Sequence, residues 1–158
     1  MQASDLTPDL MRAIAREVER AYPAEACGLL FALPAGGLRW VPVPNVAGTA
    51  QGKETSARGQ NDGYVMDTAI LLPALEAAER DGARLAAIVH SHPDVGAYFS
   101  PEDKDMALGG GDAPLWPGVD YLVVSCRASR VDDARLYTWD NAACDFSETQ
   151  LSGITAHN

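Results

Sequence analysis

The amino-acid sequence predicts a single domain of the α/β class, more narrowly α+β, in which helices pack on a mixed β-sheet. The 158 residues are 47% hydrophobic and 22% charged, which is ordinary for one globular domain with a sizeable core. Sequence patterns follow in the order helix, strands, helix, strand, helix, strands, which indicates a mixed sheet. No internal repeat or linker interrupts them, so we expect one domain over residues 1–158, with its core from about 7 to 148.

The first third of the chain predicts a helix followed by a hairpin. Thr7 as N-cap and Pro8 at the first helical position begin the helix, and Pro23 ends it. Between them, apolar residues recur at helical spacing: Met11, Ile14, Val18 and Tyr22. Two strands, residues 26–32 and 38–44, then form a hairpin around a Pro-Ala-Gly-Gly turn.

The middle of the chain contains a polar, glycine-rich stretch, residues 46–63, without dependable periodicity. Two interpretations stay open: a surface loop, or a segment that closes over a bound peptide, since long loops without secondary structure often bind ligands. Residues 64–66 follow as a candidate short strand. Asp67 or Thr68 then caps a second helix that ends at an Asp-Gly pair, and Pro73 predicts either a kink in that helix or a late start.

The last part of the chain predicts a strand, a short helix and a closing set of strands. Residues 85–89 are an apolar run typical of a buried strand, and a helix beginning at Ser100 follows them. We expect residues 120–126 and 134–139 to pair as antiparallel strands across the intervening turn. A closing strand near Phe146 is a weaker expectation, and we expect the residues at the very end to be loose.

Charge and cysteine content exclude some classes of function. The net charge of −10 argues against binding to nucleic acid or to an anionic membrane surface, because both need clustered Lys and Arg. The sequence contains no apolar run of 18 residues and no secretory signal at its start. Three cysteines are too few and odd in number for a disulfide framework, which favours a cytoplasmic location.

Two histidines one residue apart are the main chemical signal. His90 and His92 project to the same side of an extended backbone, just after the predicted strand 85–89, and Asp103 follows at a helix start. Two imidazoles and one carboxylate suit Zn²⁺ and leave a fourth position for water, as in catalytic zinc sites. A simpler interpretation treats the histidines as satisfied core residues and the segment from Ser100 as an ordinary capped helix start. The two interpretations are compatible, because a helix start aims Asp103 rigidly.

The spacing His-x-His-x7-Ser-x2-Asp resembles the motif of the JAMM (MPN+) metalloproteases, and the upstream run Glu25-x-Cys-Gly resembles that family's glutamate segment in its bacterial form. The resemblance implies a JAB/MPN-like fold, similar in outline to cytidine deaminases, and about one Zn²⁺ per chain on His90, His92 and Asp103. It also implies catalytic roles for Glu25, which would transfer protons, and for Ser100, which would stabilise the oxyanion.

The resemblance alone supplies the substrate class. JAMM relatives cleave after the C-terminal Gly-Gly of ubiquitin-like proteins, and bacterial stand-alone domains process sulfur carriers, so the expected partner is such a carrier joined to cysteine or lysine. A second copy of the chain, forming a homodimer, is a further candidate partner. A non-catalytic scaffold and a zinc hydrolase of small amides are the alternatives. A nucleobase deaminase is disfavoured, because the chain lacks both His-x-Glu and Pro-Cys-x-x-Cys.

Residues near the motif receive weaker assignments. Strand alternation puts Cys27 on the same side as Glu25, but a core cysteine is more often a small buried hydrophobe, so we leave it out of the site. Ser91 is expected to be structural. Tyr98 and Phe99 are candidates for the wall of a substrate groove.

Overall fold

The computed structural model describes residues 1–52 and 59–151. It contains one 3-10 helix, Ala3–Asp5, that the sequence did not predict. The three α-helices and six strands are, in chain order, α1 (Pro8–Ala21), β1 (Cys27–Ala32), β2 (Leu38–Val43), α2 (Thr68–Arg80), β3 (Arg84–Pro93), α3 (Pro101–Leu108), β4 (Asp120–Arg127), β5 (Arg130–Asp140) and β6 (Asp145–Gln150).

The six strands form one mixed sheet in the order β2-β1-β3-β4-β5-β6. Strands β3 and β4 are parallel, and every other neighbouring pair is antiparallel. Parallel neighbouring strands need a crossover connection, and the connection between β3 and β4 contains the α3 helix. The predicted fold class, a mixed sheet flanked by helices, is confirmed.

One face of the sheet is covered by α1. The buried side of this helix repeats every three or four residues, as expected for an amphipathic helix, and consists of Met11, Ile14, Ala15 and Val18. These side chains share a core with alternate residues of the central strands: Leu30, Ala87, Val89, Leu122 and Val124. Because each fully buried aliphatic side chain contributes about 1.5–3 kcal/mol, this layer anchors the sheet.

The opposite face carries two smaller apolar clusters, under α2 and α3. Leu29 and Phe31 of β1 pack beneath α2. An aromatic group packs beneath α3: Phe99, Tyr121, Tyr137 and Phe146. The residues with predicted chemistry lie between these two clusters.

Strand β3 is longer than predicted. It continues from the apolar run through Pro93, so both histidines lie within the strand and not beyond its end. The extension pairs with β4 over its whole length, His92 opposite Ser125 and Pro93 opposite Cys126. The sequence pattern did not predict this extension, because the apolar run ends and polar residues follow where the strand enters the candidate site.

Other boundaries also differ from the prediction. Residues 64–66 form no strand, and only an isolated bridge joins Asn45 to Met66. The turn predicted over residues 127–133 has two residues, Ala128 and Ser129, both with positive φ, as a tight hairpin turn requires. The β6 strand confirms the expectation near Phe146.

The α2 helix runs without interruption through Pro73, so the predicted late start is wrong. The Asp67 side chain accepts a hydrogen bond from Ala69 N–H and fixes the start at Thr68, and Pro73 then removes only one helical hydrogen bond. Parts of two predictions, the loop over 46–63 and the loose end of the chain, lie outside the described residues. No helix in the described ranges is both long and apolar enough to cross a membrane.

Candidate metal centre

Both histidines of the predicted motif occupy a central strand. His90 of β3 lies between Cys27 of β1 and Val123 of β4. Strand alternation puts the rings of His90 and His92 on the α2 and α3 face, where His90 is fully buried and His92 is 6% exposed. Imidazoles at this depth need polar partners, because burying a polar group without one is costly.

Asp103 is held by the start of α3. Ser100 is the N-cap, and its Oγ accepts a hydrogen bond from Asp103 N–H at 3.0 Å. In return the Asp103 carboxylate accepts one from Ser100 N–H at 2.9 Å, which completes a capping box. The same reciprocal pair that stabilises the helix start therefore fixes the direction of the carboxylate.

Three donor groups converge. The Nε2 atoms of His90 and His92 are 3.2 Å apart. His90 Nε2 lies 3.3 Å from Asp103 Oδ1, and His92 Nε2 lies 3.4 Å from Asp103 Oδ2. One ligand atom from each of these residues lies within 4.8 Å of the others, so the group could hold a metal ion.

The charges of this cluster are strongly coupled. Burial would raise the pKa of Asp103, but hydrogen bonds with His90, His92 and Ser100 outweigh it and hold this pKa well below its usual range. Burial lowers the pKa of His90. Burial also opposes protonation of His92, but the hydrogen bond and charge of Asp103 outweigh it and raise the pKa of His92. As the pH falls, His92 is therefore the first of the three groups to take up a proton.

The second ring nitrogen distinguishes the two histidines. His92 Nδ1 is 3.2 Å from the carbonyl oxygen of Gly96. Since a carbonyl can only accept, Nδ1 must donate, and neutral His92 then keeps its Nε2 lone pair for a cation. His90 Nδ1 is buried and finds no hydrogen-bond partner in the described part of the chain.

Glu25 lies just before β1 and is 6% exposed. Its backbone is held on both sides: Glu25 N–H donates to Gln60 O at 2.6 Å, and Asn45 Nδ2 donates to Glu25 O at 3.0 Å. Next to it, Ser91 Oγ accepts a hydrogen bond from Ala26 N–H at 2.8 Å, which agrees with its predicted structural role. Glu25 lines the same cavity as His92 and Asp103, and its charge contributes to the raised pKa of His92.

A cavity of about 1110 Å³ opens beside the cluster. Four of the five predicted site residues line it, and the fifth, His90, is fully buried. The lining includes apolar side chains, among them Leu71, Leu75, Ile88, Met106 and Trp116. It also includes several carboxylates, and no Lys or Arg lines the cavity among the described residues.

The structure thus brings together all five residues predicted for the site, while their catalytic roles stay predictions. Cys27 is buried, its thiol donates to Val43 O at 3.3 Å, and burial raises its pKa to about 12. Tyr98 lines the cavity, with its ring centroid 5.2 Å from that of His92. Phe99 does not: it packs in the aromatic cluster, so its predicted place in the groove wall is wrong.

Sequence reasoning missed three residues that hold the site. Gly96 fixes the tautomer of His92, Asn45 holds Glu25, and Tyr64 stacks on His90 with ring centroids 4.9 Å apart. Tyr64 and Asn45 lie in or beside a stretch without periodicity, so no pattern marked them. Gly96 alone could have been suspected from the sequence, because it lies in the short segment between His92 and Ser100 of the motif.

One comparison with known proteins identifies a family. A family model described as prokaryotic homologs of the JAB domain matches residues 7–139. No curated protein matches the chain.

Solved structures resemble the chain at low sequence identity. A solution structure of a protein from Desulfitobacterium hafniense is 23% identical, with a TM-score of 0.65, over 92% of this chain and 88% of that one. A solution structure of a protein from Salinibacter ruber is also 23% identical, with a TM-score of 0.58 and the same two coverages. A crystal structure of a JAB1/MPN domain protein from Archaeoglobus fulgidus is 17% identical, with a TM-score of 0.49, over 91% of this chain and 94% of that one. The first two likenesses show the fold alone.

Proposed function

Since the chain belongs to the family of prokaryotic homologs of the JAB domain, we propose that it is a zinc-dependent metallopeptidase. Its substrate would be an amide or isopeptide bond after the C-terminal Gly-Gly of a ubiquitin-like or sulfur-carrier protein. The observation that carries the proposal is the convergence of His90, His92 and Asp103 at a cavity that Glu25 and Ser100 also line.

The spacing of the three donor groups suits zinc. Ligands about 2.0–2.1 Å from a tetrahedral ion lie about 3.3–3.4 Å apart. The Nε2 atoms of the two histidines are 3.2 Å apart, and each lies 3.3–3.4 Å from a different oxygen of the Asp103 carboxylate. With one ligand atom from each residue, the three atoms lie within 4.8 Å of one another. Two imidazoles and a carboxylate are also a donor set that catalytic zinc uses, with the remaining position open. The contact between His92 and Gly96 leaves the correct nitrogen free for such a bond.

Zinc, when bound, would polarise the scissile carbonyl and lower the pKa of a water molecule to about 7. Glu25 would accept a proton from the attacking water and deliver it to the nitrogen of the leaving amine as the carbon–nitrogen bond breaks. Its low exposure and restrained backbone suit a base that must stay in one place. The Ser100 hydroxyl, which accepts from Asp103 N–H, still has its own proton to donate to the developing oxyanion.

The buried position of the cluster and the acidic residues of the cavity favour a substrate that enters as extended chain and is basic near its tail. The scissile carbonyl can reach the buried cluster only if the substrate enters as extended chain, and residues without a Cβ approach side chains most closely. Asp62, Glu102 and Asp105 line the cavity, and the whole chain has a net charge of −10. These charges favour a partner that is basic near its tail. A flexible tail ending in Gly-Gly meets both requirements.

Cleavage of carrier fusions tests the proposal. Zinc-loaded protein is incubated with a ubiquitin-like carrier fused through Gly-Gly to a short peptide, and with the same fusion carrying Leu-Leu. Mass analysis should find the carrier ending in Gly-Gly, and much slower cleavage of Leu-Leu. The matched control is Glu25→Gln, which changes one atom of the proposed base.

Each other outcome points to a different function. Equal cleavage of the two fusions and of unrelated unfolded peptides would indicate a general peptidase. Zinc binding with turnover of small amides only would favour the small-substrate hydrolase, for which the cavity is large enough. Carrier binding without cleavage would favour the scaffold.

A further inference from the structure

The two histidines of the metal centre are oriented by different means. A histidine that binds a metal usually donates its other ring N–H to an acceptor, which fixes both the tautomer and the ring orientation. His92 has that contact, 3.2 Å to Gly96 O. His90 Nδ1 has no such partner among the described residues, although its ring is fully buried. Something other than a hydrogen bond at Nδ1 must therefore set the plane of the His90 ring.

Among the described aromatic rings near His90, Tyr64 is the one that stacks on the imidazole, whereas the rings of His92 and Phe99 are tilted against it. The centroids of the Tyr64 and His90 rings are 4.9 Å apart and their planes differ by 24°, which is a stacked arrangement. Phe99 approaches the same imidazole at 6.5 Å and 41°, a looser and tilted contact. Aromatic pairs form at centroid distances of about 4.5–7 Å, and the Tyr64 contact lies near the short end of that range.

Tyr64 is itself held in place, although it follows a stretch that the sequence shows only as polar. Asn45 Nδ2 donates to Gly63 O at 3.1 Å, and Asn45 Oδ1 accepts from Val65 N–H at 3.0 Å. Val46 N–H donates to Val65 O at 2.8 Å. Hydrogen bonds therefore fix the residue on each side of Tyr64, so the tyrosine forms part of a restrained wall.

We propose that Tyr64 is the positioning residue for His90, and that its aromatic ring sets the orientation that other metal-binding histidines obtain from a hydrogen bond. This inference rests on the proposed metal centre and extends it to a residue outside the His-x-His motif. It predicts that zinc affinity depends on the aromatic ring of Tyr64 and not on its hydroxyl group.

Zinc affinity tests the inference without any substrate. Metal-free protein is titrated with Zn²⁺ against a chromophoric chelator, for the wild type, Tyr64→Phe and Tyr64→Leu. The Tyr64→Phe variant keeps an aromatic ring and should bind Zn²⁺ within about twofold of the wild type. The Tyr64→Leu variant loses the ring and should bind Zn²⁺ about 10–100-fold more weakly, the usual effect of losing a group that orients a metal ligand.

The chain offers a matched control in Tyr98. Its ring lies 5.2 Å from that of His92, nearly as close as Tyr64 lies to His90, but His92 already has its contact with Gly96. Tyr98→Leu should therefore leave zinc affinity within about twofold of the wild type. NMR signals of the imidazole nitrogens give a second readout, because Tyr64→Leu should broaden or shift those of His90 and leave those of His92 in place.

Several results would overturn the inference. Unchanged affinity in Tyr64→Leu would do so, as would an equal loss in Tyr64→Phe, which would assign the effect to the hydroxyl. An equal loss in Tyr98→Leu would show that any nearby ring matters. If Tyr64→Leu does not fold, Tyr64→Met makes the same comparison. A wild-type protein that binds no Zn²⁺ would remove the metal centre and this inference together, whereas normal zinc binding without carrier cleavage would contradict only the proposed substrate.

Discussion

Substitution of Ser100 can separate its two proposed roles, because this residue caps α3 and also lines the cavity. Ser100→Ala removes both the N-cap acceptor and the hydroxyl. Ser100→Gly removes the hydroxyl too, but glycine is a tolerable N-cap residue. The backbone N–H of residue 100 still donates to the Asp103 carboxylate in both variants, since that bond needs no side chain. Asp103 should therefore stay aimed at the cluster, and zinc affinity should change little.

The structure sets the expected magnitudes. Loss of the 3.0 Å cap bond to Asp103 N–H should lower the free energy of unfolding by about 1 kcal/mol in Ser100→Ala, and by only a few tenths in Ser100→Gly. Loss of an oxyanion donor typically lowers turnover by about 10²–10³. Both variants should show that loss equally, because neither has a hydroxyl.

Two assays decide the matter. Urea unfolding of metal-free protein, followed by far-UV circular dichroism, measures the cap, and cleavage of a Gly-Gly carrier fusion by zinc-loaded protein measures the hydroxyl. Turnover that recovers in Ser100→Gly in step with stability would refute the reasoning, because Ser100 would then act only through the helix start. Wild-type turnover in both variants would remove Ser100 from the mechanism.

Three further predictions follow from the same geometry. Glu25→Gln should keep zinc affinity and fold but lose at least about 10² in turnover, measured on the same fusion; undiminished turnover would exclude Glu25 as the base. Removal of zinc by a chelator should abolish activity while the far-UV circular dichroism stays near native, because the apolar clusters contain none of the three ligand residues. Full unfolding would make the site structural. Zinc competes with a proton for His92, whose pKa is raised, so zinc affinity should fall about tenfold per pH unit below that pKa and level off above it. A competition titration that shows no change with pH would contradict this.

Sequence alone predicted the elements whose pattern is dictated by burial. The helical spacing of Met11, Ile14 and Val18 predicts the face of α1 that packs on the sheet. The continuous apolar run of β4 predicts a strand buried on both faces. The motif histidines were predictable as a pair because a strand puts alternate side chains on one face. Glycine at position 28 also has a physical reason: a Cβ there would collide with the Trp40 ring and the Val41 carbonyl.

The rest of the site could not be predicted because it depends on contacts between segments far apart in the chain. Asn45 holds Glu25, 20 residues away, and its own neighbours give no pattern that would mark it. Tyr64 reaches His90 only because hydrogen bonds with Asn45 hold its two neighbours in the chain in place. Phe99 resembled a groove residue by its place in the motif, but Tyr121, Tyr137 and Phe146 form a buried cluster that it completes. Packing between residues far apart in the chain leaves no periodic pattern in the local sequence from which it could be predicted.

The most direct test of the central claim is a zinc titration followed by activity. Metal-free protein receives increasing Zn²⁺, and cleavage of the Gly-Gly carrier fusion is measured at each step for the wild type and for His92→Ala. Activity of the wild type should rise from none and saturate at about one Zn²⁺ per chain, and His92→Ala should remain inactive at that ratio. Full activity of the metal-free protein, or equal activity of the two proteins, would contradict a zinc-dependent peptidase at this site.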